Sequence, residues 1–254
     1  ALLNVTTGPG GINAINGVFG AWTDSIPMII ISGQVRYDTT IDSSDLPLRQ
    51  LGDQEVDIVN MVSGITKYAK MIKDPNTINE ELEKAFKICM SGRKGPVWLD
   101  IPVNVQGAMI DNKVIDNKPI IKKMNNSTES DILHVMKAIK NSKRPAILVG
   151  NGVRFSESID LLKNVCKKTK IPVLTAWNAH DIIEEDFPFY FGRPGTVGDR
   201  PGNLIIQNSD LLIVLGSRLN IRQIGYNWET FARESKIIMV DIDQSELDKH
   251  TLNI

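Results

Sequence analysis

Short apolar runs that alternate with helical patterns constrain this chain more than any other feature of its sequence. Most of these runs are apolar at every position rather than at every second one, which is typical of parallel strands covered by helices on both faces. We therefore predict eight buried strands. They are Ala1–Val5, Met28–Ser32, Lys67–Ile72, Val97–Ile101, Ala146–Gly150, Ile171–Thr175, Leu211–Leu215 and Ile237–Asp241.

Segments with the apolar spacing of helices lie between these runs. One of them has apolar residues at Leu82, Ala85, Phe86 and Cys89, which is i, i+3, i+4 and i+7 spacing. Strands that alternate with helices form right-handed crossover units, so we predict an α/β fold with two doubly wound parallel-sheet domains. The predicted helices are Gly11–Trp22, Thr77–Ser91, Ser130–Asn141, Ser156–Thr169 and Asn203–Gln207.

A polar segment, residues 106–128, divides the chain. It is rich in Asn and Lys and has weak periodicity, so we predict a linker there. The first domain then spans residues 1–105, and the second spans residues 129–254. Because the first predicted strand begins at residue 1, we expect the first domain to be incomplete and the chain to be part of something longer.

Charge and hydropathy argue against two classes of partner. The chain has 29 basic and 30 acidic residues, so nothing favours nucleic acid or an anionic membrane surface. No apolar run reaches the roughly 18 residues that span a bilayer, and no signal peptide is recognisable. We expect a cytoplasmic protein without nucleic-acid or membrane partners.

The sequence contains no recognisable metal or nucleophile motif. Cys89 and Cys166 are far apart and lack CxxC spacing, which favours two structural thiols in a reducing compartment. The histidines His134, His180 and His250 are scattered, and neither GxSxG nor HExxH occurs. We predict structural roles for all five side chains and no metal site.

The turn Gly8-Pro9-Gly10-Gly11 links the first predicted strand to the first predicted helix. It has neither the Lys-Ser/Thr of a P-loop nor the G-x-G-x-x-G of dinucleotide-binding folds. Free N–H groups at a helix start are able to hold a polar ligand atom, although chain reversal alone also explains the glycines. A ligand contact and a plain turn both stay open on these residues.

Gln54 lies in the acidic stretch Asp53–Asp57, after a long loop, Arg36–Arg49, that follows the second predicted strand. One interpretation is a solvated helix start, since acidic residues are common in the first turn of a helix. The other is a ligand site, since ligands of open α/β sheets bind beyond the carboxyl ends of strands. On the second interpretation, Gln54 and the glycine turn line one crevice.

Glycines, arginines and an aspartate follow the predicted strands of the second domain. Arginine suits phosphate groups, an acidic residue at a strand end accepts hydrogen bonds from ribose hydroxyls, and the i, i+4 spacing of the two arginines would place them on one side of a helical turn. The set predicts the rim of a nucleotide pocket, and polar ends of ordinary strands are the alternative. Its members are Gly150, Gly152, Gly192, Gly195, Gly216, Arg218, Arg222 and Asp241.

Several segments together resemble one family. The run TTGPGGINAINGVFGAWTDSIPMIIISGQV, followed by GDQEVDIV and SGRKGPVWLDIPVNVQ, resembles the pyrimidine-binding domain of thiamine diphosphate enzymes of the acetolactate synthase group. The segments ILVGNGV, FGRPGTVG, LGSRLNIRQIGY and IIMVDIDQSELDK resemble the central domain of the same group. The resemblance covers nearly the whole chain.

The resemblance implies roles for the glycine turn and for Gln54. Gly8, Pro9, Gly10 and Asn13 match residues that line the pocket of the thiamine aminopyrimidine, and Gln54 matches a glutamine that reaches the reacting substrate. The turn is then expected to approach a flat heterocycle rather than a phosphate. In this family a GDG motif holds the diphosphate through Mg²⁺, and this sequence contains no GDG.

We therefore expect two parts of the family's active site to lie outside this chain. They are the diphosphate domain and the start of the pyrimidine domain, which carries the glutamate that activates the cofactor. The chain is then expected to be inactive by itself.

For the intact enzyme, the resemblance implies decarboxylation of a 2-oxo acid and transfer of the resulting carbanion to an acceptor, with thiamine diphosphate and Mg²⁺. One alternative is a thiamine-dependent decarboxylase or lyase on another substrate, in sugar or surface-polymer biosynthesis. Asp53, where the group usually has phenylalanine, favours it. Another is a nucleotide-binding or assembly module without catalysis.

The resemblance also bears on nucleotide content and assembly. The central domain is expected to bind FAD, to bind ADP or to hold no nucleotide. Since family members place the cofactor between two subunits, a homodimer or homotetramer is expected.

Overall fold

The computed structural model describes residues 1–111 and 127–254. The chain divides between Lys123 and Met124 into two compact units, and each unit has a four-stranded sheet in its described part. Residues 112–126 of the predicted linker 106–128 lie outside the described residues. The predicted domain limits at residues 105 and 129 therefore stay a prediction.

The sheet of the first unit is parallel, with the strand order β1-β2-β4-β3. Its strands are β1 (Leu2–Val5), β2 (Met28–Gln34), β3 (Tyr68–Met71) and β4 (Pro96–Pro102). The helices of this unit are α1 (Pro9–Thr23), α2 (Ile58–Val62), α3 (Ile78–Met90) and α4 (Val103–Gln106). The predicted strands and the two long helices are confirmed, whereas α2 and α4 are too short to produce a helical period in the sequence.

Helices cover both faces of the first sheet. Leu99 of β4 packs with Cys89 of α3 in one buried cluster, whereas Trp98 packs with Val18 of α1 and Ile58 of α2 in another. Successive side chains of a strand point to opposite faces, so these two neighbours enter different clusters. Burial on both faces is the physical reason for the continuous apolar runs.

The sheet of the second unit is also parallel, with the strand order β6-β5-β7-β8. Its strands are β5 (Pro145–Val149), β6 (Val173–Thr175), β7 (Leu211–Leu215) and β8 (Lys236–Val240). Its helices are α5 (Glu129–Asn141), α6 (Gly152–Phe155), α7 (Ile159–Thr169), α8 (Arg200–Asn208), α9 (Ile221–Ile224) and α10 (Gln244–Leu247). Within the described ranges, no helix is long and apolar enough to cross a membrane.

A topological switch point lies between β5 and β7. The chain leaves β5 for β6 on one side of the sheet, and it leaves β7 for β8 on the other side. Loops that diverge in this way open a crevice at the carboxyl edge, which is where doubly wound sheets bind ligands. The predicted architecture is confirmed for this unit.

Both cysteines are buried thiols without a disulfide. Cys89 is 2% exposed and Cys166 is 0% exposed, and burial raises the pKa of the Cys166 thiol to about 11. The predicted structural role of these side chains is confirmed by their place in the two cores.

Candidate functional site

Gly8 and Gln54 lie backbone to backbone just beyond the carboxyl end of β1. Gly8 precedes α1 with a φ of 51°, and a Cβ atom at this position would overlap the Gln54 carbonyl oxygen. Gln54 has a φ of 57°, which is uncommon for a residue with a side chain. The glycine turn and Gln54, which the ligand-site interpretation assigns to one crevice, are thus adjacent, and glycine is the residue that fits at position 8.

The side chains of α1 beside this contact are uncharged, whereas Asp53, next to Gln54, has an exposed carboxylate. Pro9, Asn13 and Gln54 are exposed, and none of the 15 residues of α1 carries a charge. Gly10 packs against its own turn, because a Cβ atom there would lie 2.7 Å from Thr6 Cγ2. Phosphate sites use cationic side chains, and α1 has none, so this surface suits an uncharged heterocycle better.

Glu55 organises the loop that carries Gln54, and the sequence pattern does not reveal this role. Its side chain is 7% exposed. One carboxylate oxygen accepts a hydrogen bond from the Ile41 N–H, and the other accepts from the N–H groups of Leu51 and Gly52 at 3.1 Å each. These charge-assisted bonds hold the loop, and the Gln54 side chain points to solvent.

The helix-start interpretation of this acidic stretch holds for Asp57. Its carboxylate caps α2 by accepting a hydrogen bond from the Asn60 N–H at 3.1 Å. Asp53 is exposed. The stretch therefore combines a helix cap, a buried loop anchor and two solvent-facing side chains at positions 53 and 54.

A buried polar network that adjoins the Gly8–Gln54 contact was not apparent from any motif. Asp100 of β4 accepts hydrogen bonds from Ser32 Oγ and, at 3.0 Å, from Gln34 Nε2, both on β2. Trp98 Nε1 donates to Ser32 Oγ at 2.8 Å. Thr7 Oγ1 donates to Gln34 Oε1 at 2.7 Å, which connects the network to the glycine turn.

The electrostatics of this network centre on Asp100, which is 0% exposed. Burial raises the pKa of its carboxyl to about 6, and the hydrogen bonds from Ser32 and Gln34 oppose that rise. The available sequence signal was the i, i+2 pair of polar residues inside an apolar strand, since such residues share one face and need buried partners.

A cavity of about 530 Å³ opens between α2 and the carboxyl end of β3. Lys73 in its wall pairs with Asp42 at 2.5 Å, and Lys70 pairs with Glu81. These charges are neutralised within the protein. The cavity wall does not include Gln54 or the residues of the glycine turn.

Gly150, Gly152 and Gly216 bring two turns together at the switch point of the second sheet. The Gly152 N–H donates to the Gly216 carbonyl oxygen at 3.0 Å, and a Cβ atom on Gly152 would lie 2.7 Å from Gly216 Cα. Gly216 also has a φ of 57°. The close approach of the two turns is sufficient to explain these glycines.

The loop with Gly192 and Gly195 contacts the start of α9. Their φ angles are 83° and 130°, a region that favours glycine. Thr196 donates hydrogen bonds from N and Oγ1 to the Arg222 carbonyl oxygen at 3.1 and 2.8 Å. The structure thus brings this loop and Arg222 together.

Arg218 and Arg222 would share one side only on a helical turn, and the segment between them does not form one. Helix α9 begins only at Ile221, and Leu219 has a φ of 46°, so the chain between the arginines is not helical. Arg218 instead lines a cavity of about 200 Å³ together with Lys249. The Lys249 ammonium donates to the Arg218 carbonyl oxygen.

Asp241 lies at the same edge, since the Gly216 N–H donates to the carbonyl oxygen of the preceding residue, Val240, at 2.9 Å. Its carboxylate accepts a hydrogen bond from the Asp243 N–H at 2.9 Å. One acceptor of Asp241 is therefore used within its own turn.

Two buried polar atoms at this edge have no hydrogen-bond partner among the described residues. They are Asn151 Oδ1 and Gln223 Nε2. Asn151 stands between Gly150 and Gly152, and Gln223 Oε1 accepts from Ser217 Oγ at 3.2 Å. An unpaired acceptor and an unpaired donor beside the switch point fit the polar groups of a nucleotide.

No cluster of three or more His, Cys, Asp or Glu side chains that could hold a metal occurs in residues 1–111 and 127–254. His134 is exposed. The His180 ring lies 3.0 Å from the Trp177 carbonyl oxygen, and His250 packs edge-on against Trp228.

Two family models match this chain. The model described as the N-terminal TPP binding domain of thiamine pyrophosphate enzymes matches residues 1–63. The model described as the central domain of thiamine pyrophosphate enzymes matches residues 132–254. Together the matches cover more than half of the chain.

Curated relatives align with almost all of this chain. The probable acetolactate synthase large subunit of Methanocaldococcus jannaschii is 35% identical over 256 aligned positions, which cover 96% of this chain and 41% of the relative. The acetolactate synthase large subunit of Corynebacterium glutamicum is 36% identical over 247 residues, 96% of this chain and 38% of the relative. The acetolactate synthase isozyme 1 large subunit of Escherichia coli is 33% identical over 255 aligned positions, which cover 98% of this chain and 42% of the relative. The chain thus spans about two fifths of the length of these relatives.

Proposed function

Because this chain belongs to the thiamine pyrophosphate enzyme family, we propose that it forms part of a thiamine diphosphate-dependent enzyme similar to acetolactate synthase. The proposed reaction is decarboxylation of a small 2-oxo acid and transfer of the remaining fragment to an acceptor. The observation that carries the proposal is the Gly8–Gln54 contact, which lies in the region matched by the TPP binding model.

When bound, thiamine diphosphate supplies an electron sink for cleavage next to a carbonyl. In this proposal, the backbone of Gly8, Pro9 and Gly10 approaches the aminopyrimidine, and the exposed amide of Asn13 hydrogen-bonds to its edge. Gln54 is the proposed catalytic residue, because its exposed amide offers both a donor and an acceptor to the reacting substrate. The charge-free surface of α1 supports a neutral ligand.

A nucleotide cofactor is proposed for the crevice at the switch point of the second sheet. FAD or ADP is proposed to bind at Gly150, Gly152 and Gly216, with the unpaired amide atoms of Asn151 and Gln223 as polar contacts. Mg²⁺ accompanies the diphosphate in this proposal, and no described residue is assigned to it. A cytoplasmic location is proposed as well, and the two unpaired thiols support it.

A homodimer or homotetramer is proposed as the active assembly, with the cofactor between subunits. Three large apolar side chains of α1 support it, because Ile12, Phe19 and Trp22 are 44%, 52% and 38% exposed. A helix without charges whose apolar residues face outward is typical of a subunit contact.

The alternative is a decarboxylase or lyase of this family that acts on another substrate. The feature in its favour is the exposed carboxylate of Asp53, next to Gln54. Its negative charge would repel a 2-oxo acid that enters as the acceptor, because such an acid is itself an anion. The relatives, which are acetolactate synthase large subunits, favour acetolactate synthesis.

The deciding experiment is product formation from pyruvate by the complete gene product, with thiamine diphosphate and Mg²⁺ added. Acetolactate at a useful rate is the expected result, and it would mean that Asp53 is tolerated. A folded protein that binds the cofactor but does not turn over pyruvate would refute the proposal and favour the alternative.

A further inference from the structure

The Gln34 side chain makes four hydrogen bonds that leave its amide a single orientation. Nε2 donates to Asp100 Oδ2 at 3.0 Å and to the Val56 carbonyl oxygen at 3.1 Å. Oε1 accepts from Thr7 Oγ1 at 2.7 Å and from the Val35 N–H at 3.0 Å. Because the Val35 N–H only donates and the Val56 carbonyl only accepts, a reversed amide would create unpaired contacts.

These bonds connect two segments that are distant in sequence. Thr7 immediately precedes Gly8, and Val56 follows Gln54 by two residues. Gln34 is 5% exposed and binds both segments at the end of β2. It therefore holds the two sides of the Gly8–Gln54 contact together.

Asp100 lies next to Gln34, and its hydrogen-bond partners require it to act as an acceptor. It is paired with Ser32 across the β2–β4 register, and it accepts hydrogen bonds from both Ser32 and Gln34. Trp98 Nε1 already donates to Ser32 Oγ, so the Ser32 hydroxyl needs an acceptor for its own proton. A carboxylate satisfies both donors, whereas an amide at position 100 would leave one of them unpaired.

We propose that Gln34 is a positioning residue that clamps the glycine turn to the Gln54 segment, and that Asp100 is its obligatory acceptor. The proposal rests on the proposed function, because the clamped segments are the proposed cofactor-binding surface. Gln34 and Asp100 are buried and act through Thr7 and Val56 rather than by touching a ligand.

The clamp predicts that Asp100→Asn weakens the contact in the wild-type protein but partly restores it in a Gln34→Glu protein. Asp100→Asn alone leaves a buried donor without an acceptor, so it weakens the clamp. Gln34→Glu alone places carboxylate oxygens against Asp100 and against the Val56 carbonyl, and it is the more damaging single change. In the Gln34→Glu background, Asp100→Asn supplies a donor to the new oxygen, so it restores part of the clamp.

The test uses the complete gene product at about pH 8.5, above the pKa of about 6 of the Asp100 carboxyl. Hydrogen–deuterium exchange is measured without cofactor for peptides covering residues 6–12 and 54–58. The dissociation constant of thiamine diphosphate is measured with Mg²⁺ present. In Gln34→Glu we expect both exchange rates and the dissociation constant to rise about tenfold, from the loss of one or two buried hydrogen bonds, and Asp100→Asn to recover part of each.

A milder variant keeps the test decisive if Gln34→Glu does not fold. Thr7→Val removes only the bond between the turn and Gln34, and we expect about threefold to tenfold faster exchange in residues 6–12. Thr66→Val is the control, because it also removes one threonine hydroxyl, but that hydroxyl bonds to the Val62 carbonyl oxygen at the end of α2 and not to the glycine turn.

Two results would overturn the clamp. One is exchange in Thr7→Val that equals that of Thr66→Val. The other is a folded Gln34→Glu variant whose exchange stays at the wild-type rate or is not slowed by Asp100→Asn. If the wild-type protein binds no thiamine diphosphate, the proposed function fails, while the exchange rates still decide whether the clamp exists.

Discussion

The carbonyl oxygen of Gln54 occupies the space that a Cβ atom of residue 8 would need, so Gly8 and Gln54 constrain each other's backbone. Both residues have positive φ angles, 51° and 57°. The contact is made by backbone atoms, and it leaves the Gln54 amide free to face solvent next to the glycine turn. The residue at position 8 therefore determines the position of Gln54, the proposed catalytic residue.

Gly8→Ala is expected to lower the free energy of unfolding by about 3 kcal/mol, because a positive φ costs ~1–2 kcal/mol and the overlap with Gln54 adds to it. Gly92→Ala is the matched control, since Gly92 has a φ of 57° but open space around a Cβ atom. Its expected loss is about 1 kcal/mol. Urea denaturation measures both, and equal losses would contradict the overlap.

Gln54→Ala is expected to leave the free energy of unfolding within about 0.5 kcal/mol of the wild type, because the side chain is exposed. The same change should lower kcat/KM of the complete gene product about a hundredfold, as loss of a hydrogen bond to a reacting group does. Gln244→Ala, at an exposed glutamine of the second unit, is the control. Undiminished turnover in Gln54→Ala would remove this residue from catalysis.

Glu55→Gln is expected to lower the free energy of unfolding by about 1–3 kcal/mol, because one of the oxygens that accept from Ile41, Leu51 and Gly52 becomes a donor. Limited proteolysis should then cut the loop between residues 41 and 52 faster. Glu80→Gln, at an exposed position of α3, should change neither quantity. A loop that resists protease in Glu55→Gln would show that the anchor is dispensable.

The stability of the first unit should depend on pH through Asp100. Burial raises the pKa of this carboxyl from its ordinary 3.8 to about 6, so the folded state binds the proton more tightly than the unfolded state. The resulting stabilisation is fully present below about pH 4 and is lost as the pH rises through about 6, a change on the order of 3 kcal/mol.

Urea denaturation at several pH values between 4 and 7.5 measures this dependence. Asp100→Asn should remove the fall over that range, even though its absolute stability is lower at every pH. A wild-type stability that rises steadily over the same range, with an equal slope in the variant, would assign the pH dependence to other groups.

Several parts of the site were within reach of sequence reasoning. Strand ends and glycine turns mark the carboxyl edge of a parallel sheet, so the proximity of Gly8 and Gln54 followed from the order of elements and the usual place of ligands in such sheets. The sequence left open whether Arg218 and Arg222 lie on a helical turn, because a four-residue spacing does not distinguish a helix from a chain bent by a positive φ at Leu219.

The sequence by itself determined the fold class and the family, because the spacing of apolar residues and the order of the motifs can be recognised in the sequence alone. It did not determine that Glu55 anchors a loop or that Gln34 binds Thr7, Val56 and Asp100. These contacts of Gln34 join residues 22 to 66 positions apart, and those of Glu55 join residues 3 to 14 positions apart. Both sets depend on hydrogen-bond direction and burial. Partner choice among buried polar groups is decided only when the strands are in register, since each donor must then find an acceptor within about 3 Å.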